Sequence, residues 1–266
     1  MERPKDLPDY GAPPLSEVVL GVQFEPVGGY QQIYAGAIWE LFKANFPHVE
    51  EHPSLPPSFE IFGSNIPSGP SIQLTTGASH DRFWFVSKDK HLLVQFQQDR
   101  FVQNWRRVKG EAVDYPRFEN MLESYEENLR KLNRYFEATF GSSLKINQCE
   151  ISYMNHIRFS PEVGTTPQEW INFIKFPTDS KIDFRCDYRK KISNEIGEPV
   201  GRLIVGARLN AEGEEILSYD LSVKGVPTAP NIESALEFLI TGRHLIVTTF
   251  TETTSEKAHR AWKRIQ

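Results

Sequence analysis

The sequence is poor in cysteine and has no long apolar run. Its two cysteines, Cys149 and Cys186, stand in no Cys-x-x-Cys pair, so we predict that both are small buried residues rather than nucleophiles or half-cystines. No stretch approaches the roughly 20 apolar residues of a membrane-spanning helix. The acidic and prolyl start also differs from a secretion signal, which needs a basic region and then an apolar stretch. We therefore expect a cytoplasmic protein.

Basic residues are not in excess either. The formal net charge is −5, whereas a surface that binds phosphates without sequence preference needs surplus Lys and Arg to displace counterions. We therefore expect weak nonspecific DNA binding at physiological salt. The net charge does not exclude a local basic patch.

The glycines of residues 201–206 stand within a strand-like run, and the Walker spacing of a phosphate loop is absent. No nucleotide or other cofactor is predicted.

The histidines do not indicate a metal site. His48 and His52 lie in a proline-rich stretch, which disfavours the helical face that an i, i+4 pair of metal ligands needs. We predict a solvated loop there. His156 falls on the polar side of a predicted strand, where an exposed or hydrogen-bonded sheet residue is favoured over a catalytic base. The sequence therefore predicts no metal.

Hydrophobic periodicity predicts an α+β fold after an extended, proline-containing segment at residues 1–14. Alternation predicts a strand at Glu17–Glu25, and helical spacing predicts a helix from Ile33 that ends at Pro47. A long amphipathic helix from Phe118 to Phe140 follows several strands, opening near Pro116 and stopping at Gly141. The intervening strand-like stretches are Phe59–Phe62, Ser71–Thr75, Arg82–Ser87 and Leu92–Gln97.

The same order of elements starts again near Ile146. A strand around Cys149–Ile157 precedes a short helix at Pro167–Ile174, more strands, a long helix from Ile232 to Phe250 and a helical piece around Trp262. The later strands are Lys181–Lys191, Arg202–Asn210 and Glu215–Val223. We predict two similarly ordered halves, residues 15–143 and 144–266, produced by duplication of one unit. The plan is similar to the TATA-binding-protein-like topology, an antiparallel sheet backed by helices, although fold does not give function.

Several short stretches carry a resemblance to a known family. They are Ala12–Phe24 (APPLSEVVLGVQF), Gln98–Phe101 with Asn104, Tyr115-Pro116 with Phe118, and Tyr153–Asn155. In these the chain resembles a sporadically distributed bacterial family of about this length that has no known activity. The resemblance implies membership and no catalytic residues. Patchy distribution is typical of accessory genes such as defence or toxin-antitoxin modules.

The densest mixture of polar, aromatic and cationic residues is the candidate recognition segment. It follows a strand, where loops often carry binding residues, and Arg and Trp often anchor partner surfaces. The residues assigned to partner binding are Asp99, Arg100, Asn104, Trp105, Arg106 and Arg107. If they form a recognition loop, alanine at Trp105 and Arg106 should weaken partner binding and leave the fold nearly intact. The alternative is that Asp99 and Arg100 orient a sheet edge while Phe101 and Trp105 enter the core.

A second candidate surface is a row of mixed charges. Lys181, Asp183, Arg185, Asp187, Arg189 and Lys191 alternate with less polar residues. Such a row is either a solvated sheet face or a docking surface, since opposed charges set selectivity at an interface.

These patterns favour a non-catalytic binding or assembly component that holds a protein partner. One alternative is a nucleic-acid-binding protein whose sheet meets a backbone through Arg100, Arg106, Arg107 and Lys109, with Phe101 or Trp105 stacking on bases. Net charge disfavours it. The other is an enzyme whose acidic residues meet only in space.

Overall fold

A computed structural model describes residues 3–60, 62, 81–108, 114–161, 163–176, 182–209 and 216–266. These residues form one nine-stranded antiparallel sheet and four helices, so the α+β class is confirmed. The strands are β1 (Leu15–Phe24), β2 (His48–His52), β3 (Arg82–Val86), β4 (Leu92–Gln97), β5 (Arg100–Arg106), β6 (Ile146–Arg158), β7 (Phe184–Ser193), β8 (Pro199–Leu209) and β9 (Ile216–Gly225). The helices are α1 (Tyr34–Phe42), α2 (Phe118–Phe140), α3 (Ile232–Thr253) and α4 (Glu256–Ala261).

The sheet is continuous from β2 to β7. Its order is β2-β3-β4-β5-β1-β6-β9-β8-β7, with β1 and β6 side by side at the centre. Leu20 is opposite Gln103 of β5 on one side and opposite Ile151 of β6 on the other. Because side chains alternate along a strand, this register decides which residues share a face.

The three longer helices pack on one face of the sheet. Phe42 of α1 and Tyr125 of α2 both contact Phe101 of β5, with ring centroids 5.6 and 5.9 Å away. In α3, Gly242 lies against Ile151 and Val223. Burial of the large side chains between helices and sheet supplies the main hydrophobic stabilisation of the fold. We call the other side of the sheet, which carries Glu17, Gln23, Arg100 and Arg106, the polar face.

Helix α2 begins and ends where its sequence indicates. Gly141 follows the last turn in the left-handed conformation (φ 66°), and its N–H is bonded to the carbonyl of Glu137. Glycine adopts this conformation without the steric cost of a Cβ atom. The predicted span Phe118–Phe140 is confirmed.

One end of the polar face is crossed by residues 53–60 and 62, which we call the crossing segment. Gln97 of β4 exchanges two hydrogen bonds with the backbone of Leu55, at 2.8 and 2.9 Å. The N–H of Ser58 is bonded to Gln23 of β1, and Glu60 pairs with Arg202 of β8 at 2.8 Å. The crossing segment therefore spans the sheet from β4 to β8.

Several predicted elements need correction. Residues 48–52 are an edge strand rather than a solvated loop, and residues 59, 60 and 62 belong to the crossing segment rather than to a strand. The short helix predicted at Pro167–Ile174 is a single 3₁₀ turn, Pro167–Glu169. The predicted strand Ser71–Thr75 lies outside the described residues. The other predicted strands and helices occur, with shifted ends.

Gly242 permits close packing of α3 on the sheet. A Cβ atom there would come within 2.6 Å of Ile151 Cγ2 and 3.2 Å of Val223 Cγ1. We expect Gly242→Ala to destabilise the protein by about 1–3 kcal/mol, because overpacking costs more than helix propensity returns. Gly36→Ala in α1 is the matched control, since the described structure places nothing within 4 Å of its Cβ position.

Urea unfolding of both variants checks this prediction. Gly36→Ala should stabilise by about 0.5–1 kcal/mol. Equal stabilisation by the two substitutions would show that α3 does not pack as closely on Ile151 and Val223 as these distances indicate.

Among the described residues, no helix combines the length and apolar character that crossing a membrane requires.

Candidate binding groove

The predicted recognition segment is mainly a strand and not a loop. Residues 100–106 form β5, paired with β4 on one side and β1 on the other. Phe101 and Trp105 enter the core, with 0% and 1% of their surface exposed. The alternative stated from the sequence is therefore confirmed for these two aromatic residues. Trp105 does not present an exposed anchor.

Asp99 and Arg100 lie at the end of β5 that the crossing segment covers. Asp99 is buried at the β4–β5 turn, and burial raises the pKa of its carboxyl, opposed by Arg100 and by a hydrogen bond from Gln97. Arg100 Nη2 donates to Gln23 Oε1 at 2.9 Å and to the carbonyl of Pro56 at 3.1 Å. In this structure both residues hold the sheet and the crossing segment together.

Asn104 lies in the middle of the polar face and fixes an acidic side chain. Its Nδ2 donates to Glu17 Oε1 at 2.5 Å. The register places Glu17 of β1 between Arg106 of β5 and Met154 of β6. Asn104 itself is buried, so its contribution to the polar face is to position the Glu17 carboxylate.

Arg106 and Arg107 line a groove at the uncovered end of the polar face. The cavity measures about 1140 Å³ and is bounded by residues 11–17, the end of β5, the approach to α2 and the end of β6. Four arginines line it, against the carboxylates of Glu17 and Asp114. They are Arg106, Arg107, Arg117 and Arg158. We call this cavity the arginine groove.

Backbone carbonyls orient two of the guanidinium groups. Arg106 Nε donates to the carbonyl of Lys90 at 3.0 Å, and Arg107 Nε donates to that of Leu15 at 3.2 Å. Such contacts reduce the conformational freedom that a long side chain would lose on binding a partner. The groove is thus partly organised before any ligand is bound.

Arg117 has an unusual backbone conformation. Its φ and ψ are 73° and 152°, a region that is nearly restricted to glycine and costs about 1–3 kcal/mol for other residues. Its Nη1 is bonded to Asp9 Oδ1 at 2.9 Å, which ties the N-terminal segment to the start of α2. Such strain is often found at functional sites.

Glu17 is the acidic group of the groove floor. Burial raises the pKa of its carboxyl, while the Asn104 hydrogen bond and Arg106 lower it less. Because the pKa is raised on folding, this carboxyl contributes its full stabilisation below the unfolded-state pKa of about 4.3. That contribution is lost as the pH rises through the folded-state pKa. The Glu17 carboxyl therefore makes the fold less stable at neutral pH than it is below the unfolded-state pKa.

Glu17→Gln should remove this cost, since glutamine keeps an oxygen that can accept the Asn104 hydrogen bond. We expect the melting temperature of Glu17→Gln to exceed that of the wild type at about pH 7, and the difference to shrink towards about pH 4. Thermal unfolding across this range measures it. A constant difference would show that the carboxyl titrates normally in the folded state.

Four residues of the charge row lie on β7, and Asp183 directly precedes that strand. Arg185, Asp187, Arg189 and Lys191 are exposed, and they belong to an edge strand. Charged side chains protect such an edge from pairing with other chains, so a solvated surface explains the row. Lys181 and Lys109 lie outside the described residues.

One of the two cysteines is buried and the other is exposed. Cys149 is buried, as predicted, and burial raises the pKa of its thiol to about 12. Cys186 is exposed on β7, which contradicts the prediction.

His156 is exposed and lines the arginine groove. The ring of His52 packs against that of Trp84, with the ring centroids 4.0 Å apart. Among the described residues, no group of three or more His, Cys, Asp or Glu could hold a metal ion.

The sequence singled out Arg106 and Arg107 but missed Glu17, Arg117 and Arg158. No local pattern joins these residues, because the groove depends on pairing of β1 with β5 and β6. Glu17 did carry a signal, as a charged residue at the start of a strand whose other residues are largely buried.

Comparisons with protein-family models, curated proteins and solved structures found no match for this chain.

Proposed function

We propose that the protein is a binding component that holds a protein partner, and that the arginine groove receives an acidic segment of that partner. The observation that carries this proposal is the local excess of cations in a cavity of about 1140 Å³, within a chain of net charge −5. Arg is common at the energetic centre of interfaces, and complementary charge speeds association and excludes wrong partners.

The surroundings of the groove favour a polypeptide over nucleic acid. Acidic side chains lie among basic ones on the polar face. Glu150 is opposite Lys224, and Asp220 is opposite Met154 in the β6–β9 pair. A phosphate backbone laid along the face would meet these carboxylates, whereas a short acidic segment within the arginine groove would not, since neither Glu150 nor Asp220 lines it. The crossing segment also covers one end of the face, which obstructs a duplex laid along the sheet.

The arrangement of two carboxyl groups on the polar face supports an enzyme as the second candidate function. Glu17 and Asp220 are on either side of Met154 in one row across the sheet, and burial raises the pKa of both carboxyls. His156 is close enough to oppose both shifts. Carboxyls with raised pKa values beside a cavity are candidates for general acid catalysis. Loss of a measured hydrolytic activity in Glu17→Gln would support this function.

Duplication and the accessory-system context are proposals as well. The sheet order supports duplication, because β1 is followed outward by β5, β4, β3 and β2, and β6 is followed by β9, β8 and β7. The TATA-binding-protein-like analogy is a proposal that rests on the order of elements along the chain. A role in a bacterial defence or toxin-antitoxin system follows from the sequence resemblance alone.

Binding can be tested with defined probes by fluorescence anisotropy. The probes are a fluorescein-labelled peptide of ten glutamates, a neutral peptide of equal length and a labelled dT20 oligonucleotide. We expect the glutamate peptide to bind more tightly than the others. The Arg106→Ala/Arg107→Ala variant should lose about tenfold or more in affinity, since each lost anchor often costs more than ~1 kcal/mol.

The matched control is Arg185→Ala/Arg189→Ala, which removes two exposed arginines of β7. It should bind the glutamate peptide like the wild type. Equal losses in both double variants would mean that the groove has no special role, and tighter binding of dT20 would favour nucleic acid. Purification of the tagged protein at native levels, with mass spectrometry, then identifies the natural partner.

A further inference from the structure

A second, smaller cavity lies between the N-terminal segment, the start of α2 and the middle of α3. It measures about 60 Å³. One part of its lining is apolar, from Phe118, Ile246 and Phe250, and another part is polar, from Arg243, Tyr153 and Asn155 and from the ion-paired Arg3, Asp9 and Arg117. An apolar wall beside convergent polar groups is typical of small-ligand sites.

Arg243 is the unusual residue of this cavity. Only 2% of its side chain is exposed, and Nη2 lies 2.8 Å from Glu119 Oε1 of α2. Its guanidinium lies over the ring of Phe118, 4.9 Å from the centroid. Within the described part of the chain, Nη1 has no hydrogen-bond partner. A buried cationic N–H without an acceptor is costly, so Nη1 would gain from an acceptor supplied by a ligand.

Two tyrosines lie beside Arg243. The hydroxyl oxygens of Tyr115 and Tyr153 are 3.2 Å apart, and burial raises the pKa of both phenols. Both therefore stay protonated at neutral pH. An arginine and neutral hydroxyl groups together favour a ligand with a charged acceptor, and a carboxylate suits the guanidinium geometry.

The volume of the cavity limits the size of this ligand. A water molecule needs roughly 10–15 Å³ of such space, so the cavity holds about four to six non-hydrogen atoms. This is the size of a carboxylic acid with two to four carbons. Free phosphate would fit by volume but would leave the apolar wall unmatched.

We propose that this cavity binds a short-chain aliphatic carboxylate, whose oxygens accept a hydrogen bond from Arg243 Nη1 and whose alkyl chain packs on Phe118, Ile246 and Phe250. The site adjoins the arginine groove, with which it shares Tyr115 and Arg117, but the proposal does not depend on the function of the groove.

Thermal unfolding with added acetate, propionate or butyrate tests this proposal. A ligand that binds only the folded state raises stability as its concentration passes the Kd, and the rise continues as the logarithm of concentration. We expect this behaviour for at least one of the three carboxylates, confirmed by calorimetric titration. Propionamide and sodium chloride at equal ionic strength should not reproduce it. Equal shifts with the amide or with chloride would overturn the proposal.

Variants assign the effect to the cavity. Arg243→Gln should abolish the response to carboxylates, and Ile246→Phe, which fills the space, should do the same if Arg243→Gln does not fold. Arg134→Gln removes an exposed arginine of α2 and should respond like the wild type. An undiminished carboxylate response in Ile246→Phe or in folded Arg243→Gln would place binding elsewhere and contradict the proposal.

Discussion

Replacing Trp105 by alanine should lower the free energy of unfolding by about 3–5 kcal/mol, the usual cost of deleting a buried tryptophan. The side chain is 1% exposed, and its ring lies 5.2 Å from that of Tyr115, between centroids. The loss of packing leaves a cavity that the surrounding residues cannot fill completely. Urea unfolding of the purified variant measures the change.

Arg106→Ala is the matched control because it is the next residue on the same strand and lies on the opposite face. It should cost less than about 1 kcal/mol in stability, as exposed polar contacts usually do, while lowering affinity for the acidic peptide. A stable Trp105→Ala variant that has lost partner binding would instead restore the recognition loop predicted from the sequence.

Glu119→Ala should destabilise the protein by a similar amount, about 3–5 kcal/mol. The substitution leaves the guanidinium of Arg243 buried without its ionic partner, and breaking one side of a buried pair costs this much. The control is the double variant Glu119→Met/Arg243→Met, which removes both charges and should be much closer to wild-type stability. Chemical denaturation of the three proteins gives the comparison.

The Glu119→Ala variant also tests carboxylate binding in the small cavity. Propionate should stabilise Glu119→Ala more than it stabilises the wild type, because the added carboxylate replaces the missing one beside Arg243. A loss below about 1 kcal/mol in Glu119→Ala would mean that Arg243 reaches water once released, and that the cavity is more open than its burial indicates.

Elements with strong local periodicity could be predicted from the sequence. Helix α2 shows this, since apolar residues recur on one face and Gly141 stops the helix. Strand β2 was missed because its sequence, HVEEH, is polar, lies on the edge and is flanked by proline. The sequence of β5 resembles a loop because two buried polar residues, Gln103 and Asn104, hide its alternation.

The candidate sites were harder to predict than the fold because they depend on long-range pairing. Glu17 meets Arg106 only through the register of β1 with β5, which no local pattern reveals. Arg243 does carry a signal in the sequence. It occupies the apolar stripe of α3, four residues after Leu239 and three before Ile246, and an arginine at such a position needs a buried partner.

Photo-crosslinking of the acidic peptide tests the central claim most directly. The ten-glutamate peptide would carry a benzophenone, which reacts readily with methionine, and the chain has three methionines. Met154 lines the arginine groove, whereas Met121 is buried in the core. We predict adducts on Met154 that unlabelled peptide suppresses and that disappear in Arg106→Ala/Arg107→Ala. Competable adducts confined to β7 or to the exposed side of α2 would contradict the proposed groove.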